Sequence, residues 1–272
     1  MLDHSSDVDA APSRRDRRRE AQELSAGNVA SAASAHRGRT DWRLGGRTVR
    51  RWREWAFAAG LIGLGLGVLV GAVVEWVWDS PWAPVVATVL VWIGMVVPTV
   101  LAFRRSRPVG LLRFRAVDLL WGVGLATALR LIQGWLAAGG GAGALPSFTT
   151  VDGALPAGWW LTDLLGPIVI APPVEELFFR GLLLVTVFTM LRRPLGQVAA
   201  GIIAMMVSTG LFVLAHTLTG TATADAVITT ALLGLTCAAI VMLTGRIWGA
   251  VLVHAAYNPS YVALAAIGTL VQ

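Results

Sequence analysis

Residues 55–78 read WAFAAGLIGLGLGVLVGAVVEWVW, twenty-four positions whose only charge is Glu75. A helix needs about 20 consecutive apolar residues to cross the hydrocarbon core of a bilayer, and this run meets that length with no polar face to turn toward water. Six further stretches of the same kind follow at 82–103, 117–138, 159–190, 196–219, 224–244 and 247–271. The whole chain has 272 residues, of which 56% are hydrophobic and only 14% charged, and its mean hydropathy is +0.67. Soluble domains carry about 25% charged residues. The fold class expected is therefore all-α, a polytopic transmembrane bundle of about seven spans with a disordered basic N-terminal tail. A soluble cytosolic enzyme, a disordered chain and a collagen-like chain are all excluded. The fourth stretch is unusually long and holds Pro172-Pro173, so it either tilts, kinks there, or divides into two segments.

Charge sets the expected organisation. Net charge is +6 and all 22 basic residues are Arg. Twelve of them lie in 1–54, against eight acids. The domains expected are a disordered Arg-rich cytoplasmic tail at 1–54, N-terminal spans at 55–157, and a C-terminal transmembrane core at 158–272. A nucleic-acid role for the tail competes with a role in topology and contact with anionic lipid. The tail leads straight into a span, so the bilayer is the partner expected and no nucleic acid is. The first apolar stretch begins near Trp55, too late for a cleavable signal peptide. Alternate connections, 104–116, 191–195 and 245–246, carry eight Arg, and the others, 79–81, 139–158 and 220–223, carry none. By the positive-inside rule the N-terminus is expected in the cytoplasm and the C-terminus outside, in the cell membrane. Trp52, Trp55, Trp76, Trp78, Trp82, Trp135, Trp159, Trp160 and Trp248 fall near span ends, where an aromatic belt belongs. Gly63, Gly67 and Gly71 form a small-xxx-small stripe that serves either a homodimer or close packing within the chain.

Ionisable side chains inside a membrane are costly and mark function. Glu75, Asp118 and Asp163 lie near span ends, within reach of water. Arg130 sits deeper and suits either a carboxylate partner or an interface. The others gather in the C-terminal half: Glu175, Glu176 and Arg180, then His216, then His254 and Asn258. Glu176 and Arg180 are four apart with Glu first, a favourable intrahelical pair. Glu175 points about 100° away from Glu176. It is thus left unpaired and suited to take a proton from water as a general base. His254 and Asn258 share a face, and two donors converging on a point are what a developing oxyanion needs. His216 suits accepting a proton or orienting water, and Phe212, one turn before it, packs beside it. Pro259 leaves the Ala255 carbonyl without its helical donor, which opens the helix beside Asn258.

Competing readings of the same residues are structural glue between helices, and a zinc site of Glu175, His216 and His254. The helical zinc signature His-Glu-x-x-His is absent. No serine elbow and no intramembrane Asp pair exists. The single Cys237 lies in an apolar run and reads as packing. It rules out a disulfide framework.

The segment Ala171-Pro172-Pro173-Val174-Glu175-Glu176-Leu177-Phe178-Phe179-Arg180-Gly181 resembles the Glu-Glu-x-x-x-Arg motif of the CAAX prenyl endopeptidase type II family, also called the CPBP or Abi family of intramembrane proteases. Phe212 to His216 is similar to its Phe-x-x-x-His motif, and His254 to Asn258 to its His-x-x-x-Asn motif. The three occur in order over about 158–272. The resemblance implies a glutamate-dependent endopeptidase in which Glu175 activates water with help from His216. It implies an oxyanion hole of His254 and Asn258, and structural support of the site from Glu176 and Arg180. No cofactor is expected, with zinc as the alternative. The partner expected is a peptide or membrane-protein substrate. The absence of Lys and the abundance of Ala, Gly and Arg suggest a high-GC bacterium, where prenylated CAAX proteins are poor candidates for it. A catalytically silent scaffold binding a partner protein and a proton-coupled transporter are the readings from other classes. Counted from the inner span ends at 1.5 Å per residue, Glu175 and His216 lie about 25–30 Å deep but His254 only about 10 Å. Tilt, a break at Pro172-Pro173, or misplaced span ends must close that gap.

Overall fold

The structure is a computed structural model and describes residues 15, 19, 22, 25, 41–44, 49, 51–139, 145–148, 150, 153–219 and 223–271. The chain is all-helical, and six helical runs among these residues are long and apolar enough to cross a membrane. Three are α1 (Glu54–Val77), α2 (Ala83–Arg105) and α3 (Val117–Gly139). The fourth, Trp160–Thr219, spans 60 residues, and its backbone leaves helical geometry at Gly196, where φ is 78° and ψ 169°. Glycine alone adopts that conformation without steric cost. The run is therefore two helices, α4 at 160–195 and α5 at 197–219. With α6 (Ala224–Thr244) and α7 (Trp248–Val271) the bundle has seven helices of membrane length.

The break falls at Gly196 and not at Pro172-Pro173. Pro172 and Pro173 are the second and third residues of a short α segment, Ala171–Glu176, set between two wider π turns, Trp160–Ile170 and Leu177–Leu184. Neither proline has an N–H to give to the widened turn before it, so carbonyls there are left over but the chain keeps its helical course. The helix passes through without a stop.

The first two helices pack back to back. A Cβ at Gly63 would overlap the Gly94 carbonyl oxygen, one at Gly67 would sit 2.9 Å from the Leu90 carbonyl oxygen, and one at Gly71 3.2 Å from that of Ala87. The stripe Gly63, Gly67, Gly71 is therefore occupied by α2 of the same chain. This is the close packing within the chain that the stripe allowed. The physical reason is that missing side chains let two backbones approach, and α2 answers with Gly94.

One end of the bundle gathers the Arg-bearing connections. Arg246 pairs with Asp118 at 2.6 Å, and the Ile247 N–H donates to the Leu111 carbonyl at 2.9 Å. Asp118 is fully buried in that pair, which corrects its expected place in water's reach. The expected disordered tail at 1–54 is also corrected in its last part. Trp42 and Trp52 are buried. The Trp42 indole N–H donates to the Gly245 carbonyl at 3.1 Å, and its ring meets Phe188 edge-on at 5.3 Å. Arg43 donates to the Met242 and Leu243 carbonyls at the end of α6, where a cation also answers the helix dipole. Trp52 donates to the Ala102 carbonyl at 2.9 Å and stacks on Phe103. Both indoles satisfy their single polar atom inside the protein, so Trp52 is core and not belt. Trp76, Trp78, Trp82, Trp135, Trp160 and Trp248 are exposed, as a belt requires. Most of the rest of the tail lies outside the described residues.

At the other end the Phe148 N–H donates to Thr269 Oγ1 at 2.8 Å, and the Phe148 ring meets Trp159 at 5.9 Å. This ties the segment before α4 to the end of α7. Arg130 has no carboxylate among its partners. It donates to Ser260 Oγ, the Tyr257 carbonyl and Gln133 Oε1, and its guanidinium lies 4.0 Å over the Tyr257 ring. It fastens α3 to α7.

Trp42→Ala is expected to lower stability by about 3–5 kcal/mol, the cost of emptying a buried aromatic site. Trp76→Ala, whose ring is exposed, is expected to leave it nearly unchanged. Thermal unfolding of the two detergent-purified variants measures the difference.

Candidate active site

The polar residues of the C-terminal half meet in one cluster. Glu176 and Arg180 are both fully buried, with Arg180 Nη1 3.0 Å from Glu176 Oε1. The i, i+4 spacing on α4 makes this contact local. The rest of the setting is tertiary. Arg180 Nη2 donates to the Gly234 carbonyl on α6 at 2.9 Å, and the guanidinium lies 4.3 Å over the Phe212 ring of α5. A buried guanidinium needs each of these, because its charge and its donors are both costly to strand. Gly234 supplies the space as well as the oxygen: a Cβ there would stand 3.2 Å from Arg180, Phe212 and Thr209 at once.

Glu176 Oε1 also accepts from His254 Nδ1 at 3.0 Å, which joins α7 to α4. Glu176 is thus shared between Arg180 and His254, a wider role than the intrahelical pair. His254 Nε2 then points to Glu175, 3.9 Å from its Oε2. His216 Nδ1 lies 2.9 Å from the Phe212 carbonyl, and a carbonyl only accepts, so the proton sits on Nδ1. Its Nε2 is left as an acceptor 3.7 Å from Glu175 Oε2. That oxygen is buried and has no hydrogen-bond partner among the described residues. Two acceptors at such a separation are too far apart to bond and have no proton to share directly. A water donating to both suits the spacing.

The separate depths counted along the helices do not keep these residues apart. Trp42 touches both Gly245 and Phe188, so those two positions share a level. Counted from that level, Glu175 is 13 residues away along α4 and His254 nine beyond Gly245, which narrows the gap between them.

Asn258 departs from the expected arrangement. Its Nδ2 donates to the Pro167 carbonyl on α4 at 2.8 Å, so one of its two N–H groups is taken up by the backbone. The physical reason lies in the π register before Pro172. The Ala171 N–H bonds back five residues to the Gly166 carbonyl, so the next donor in that register would be Pro172, which has none. The Pro167 carbonyl is left over, and Asn258 takes it. The second N–H of the amide remains for another acceptor.

Sequence reasoning passed over Gly234, the Pro167 carbonyl and Ser208, which donates to the Phe179 carbonyl at 2.9 Å. The available signals were a lone glycine inside an apolar helix and the prolines that orphan a carbonyl five residues back. Cys237 is fully buried and its thiol is directed to the Ala250 carbonyl. Among the described residues no three His, Cys, Asp or Glu side chains are grouped to hold a metal ion.

A helical membrane bundle with a glutamate and two histidines drawn together from three helices defines the class. Residues 157–260 match the family model described as Type II CAAX prenyl endopeptidase Rce1-like. The match runs from the start of α4 to past Asn258. No curated protein and no solved structure matches the chain.

Glu176→Ala is expected to cost about 3–5 kcal/mol, since it strands Arg180 as an unpaired buried charge and releases His254. Glu175→Ala is expected to cost less, because Glu175 Oε2 has no hydrogen bond to lose. Melting temperatures of the two purified variants test the order. Gly234→Ala is expected to fold with reduced stability, because its Cβ presses on Arg180, and a double variant with Arg180→Ala should recover part of the loss relative to additivity.

Proposed function

We propose that the chain is an intramembrane endopeptidase in which Glu175 and His216 activate a water for attack on a peptide bond. The observation that carries this is the pair of facing acceptors, Glu175 Oε2 and His216 Nε2, at 3.7 Å, with the carboxylate oxygen otherwise unbonded. A water donating a proton to each has a lone pair left for a carbonyl carbon. Glu175 then takes the proton as the bond to carbon forms, and returns it to the departing amine as the peptide bond breaks.

The tetrahedral oxyanion needs donors. His254 donates there from Nε2 only as an imidazolium, since Nδ1 already donates to Glu176. The charges then balance, with Glu175 and Glu176 against Arg180 and His254. The second Asn258 N–H is the other donor proposed. Glu176 and Arg180 hold His254 in register, and Phe212 braces both Arg180 and His216. The ring of Phe212 lies 4.3 Å from that of His216 and 5.8 Å from that of His254. No metal is required by this scheme. Glu175, His216 and His254 are the ligands that a zinc-dependent version would use.

Substrates proposed are bacterial peptides or membrane proteins, with the enzyme multi-pass in the cell membrane, its tail cytoplasmic and its C-terminus external. Segregation of Arg to alternate connections supports that direction. Reporter fusions at Gly141 and at the C-terminus are expected to read as external, and a cytoplasmic reading at the C-terminus would reverse the assignment.

Glu175→Gln is expected to abolish cleavage with folding intact, because the amide keeps the shape and loses the base. His216→Ala should be nearly as damaging. Asn258→Ala should lower kcat by about 10²–10³-fold, the usual loss for one oxyanion donor. Cleavage assays on purified variants decide between readings. Activity lost to a chelator and restored by zinc would establish the metal version. Biological function retained by Glu175→Gln would establish a scaffold.

A further inference from the structure

The site is not equally closed toward its two ends. Glu175 marks a boundary on α4. Before it, the positions from Trp160 to Val174 are mostly half-buried or exposed, and after it Phe178 to Val185 are fully buried without interruption. Toward the Arg-rich end the packing continues through Phe188 to the Trp42 ring. On α7 the same end is filled by Ile247, Ala250 and Val253, all fully buried. Aromatic and aliphatic side chains at interior density leave no route for water or peptide.

The other direction is different. His216 stands three residues before Thr219, the last residue of α5, and its side chain is 40% exposed. It lines a crevice of about 20 Å³ together with Val213 and Thr217 of α5 and Ala226, Val227 and Thr230 of the first turns of α6. That is room for about one water. The described residues before α4 pack elsewhere, Phe148 on Thr269 and Trp159. Depth along any one helix is a poor guide, since His254 is only six residues into α7 from the Arg-rich end. What covers the site is the better one.

We propose that the site is entered from the Arg-poor end, through the crevice between α5 and α6, and that its substrate is a peptide segment held at the membrane surface opposite the Arg-rich tail. This rests on the peptidase reading for the word substrate, but not for the route. The crevice walls carry only small or β-branched side chains beside His216. An extended segment with small side chains is the form they admit, and water reaches Glu175 by the same way, past His216.

The test is the sidedness of thiol labelling in the full-length protein, in sealed membranes of both orientations. Thr217→Cys and Thr230→Cys are made in a Cys237→Ala background and exposed to a membrane-impermeant sulfonated maleimide. Asp79→Cys marks the Arg-poor end and Arg107→Cys the Arg-rich end, both at exposed positions. Both crevice cysteines are expected to react from the Asp79 side and not from the Arg107 side. Reaction from the Arg107 side overturns the proposal. So does reaction from neither side when the denatured protein labels fully. Adding Glu175→Gln separates the two readings: it removes cleavage if the chemistry is right and leaves the labelling side unchanged whatever the chemistry is.

Discussion

A guanidinium sealed inside a membrane bundle is the constraint on which the rest of this structure depends. Arg180 has neither water nor headgroups to meet, so its charge and its donors must be answered within the protein. Glu176 answers the charge one turn earlier on the same helix, Gly234 offers a carbonyl across the helix interface, and Phe212 lies against the flat face of the ion. These three contacts come from α4, α6 and α5. Placing Arg180 therefore fixes the relative positions of three helices, and His254 brings in the fourth through the same Glu176 oxygen. A buried ion pair of this kind contributes little net stability, because desolvation offsets most of the attraction. Its value here is geometric: any slip of one helix past another leaves a charge unpaired in a medium of low dielectric.

The same arrangement separates two neighbouring carboxylates. Glu176 meets both Arg180 and His254 through Oε1, while its Oε2 is buried without a partner among the described residues. Glu175, one position earlier, turns to the other side and faces imidazole nitrogens without a bond to its buried oxygen. Adjacent glutamates thus acquire different surroundings from the 100° rotation between consecutive helical residues. The prolines matter in a related way. Pro172 offers no N–H to the widened turn before it, and the orphaned Pro167 carbonyl becomes the anchor for Asn258. Local backbone chemistry on α4 thereby positions a side chain from α7.

The two ends of the bundle are built differently. At the Arg-rich end Trp42, Arg43 and Trp52 are folded back onto the helices and satisfy carbonyls at Gly245, Met242, Leu243 and Ala102. Aromatic rings fill the interior behind them. The opposite end is lined near His216 by small side chains and is less filled. A bundle closed at one end and loosened at the other has a direction, and the polar cluster stands where the packing changes.

The membrane class, the number of long helices and the family likeness of residues 157–260 were legible in the sequence, because hydrocarbon thickness and motif spacing are local properties of a chain. The pairing of Glu176 with Arg180 was legible for the same reason, as a spacing of four on one helix. The glycine stripe was legible as a close contact but not as to its partner, since Gly63 cannot declare whether the backbone beside it belongs to another copy or to α2. Tertiary structure alone decided that Glu176 also holds His254, that Asn258 reaches Pro167, and that Trp42 and Trp52 leave the tail to enter the core. In each case the deciding atom is a carbonyl or carboxylate oxygen contributed by a distant segment, and whether an indole, an amide or an imidazole finds such an oxygen depends on how helices tilt and on where α4 ends. Those quantities follow from packing over the whole bundle, where a break at Gly196 and two widened turns outweigh the regular 1.5 Å rise on which a count along the sequence relies.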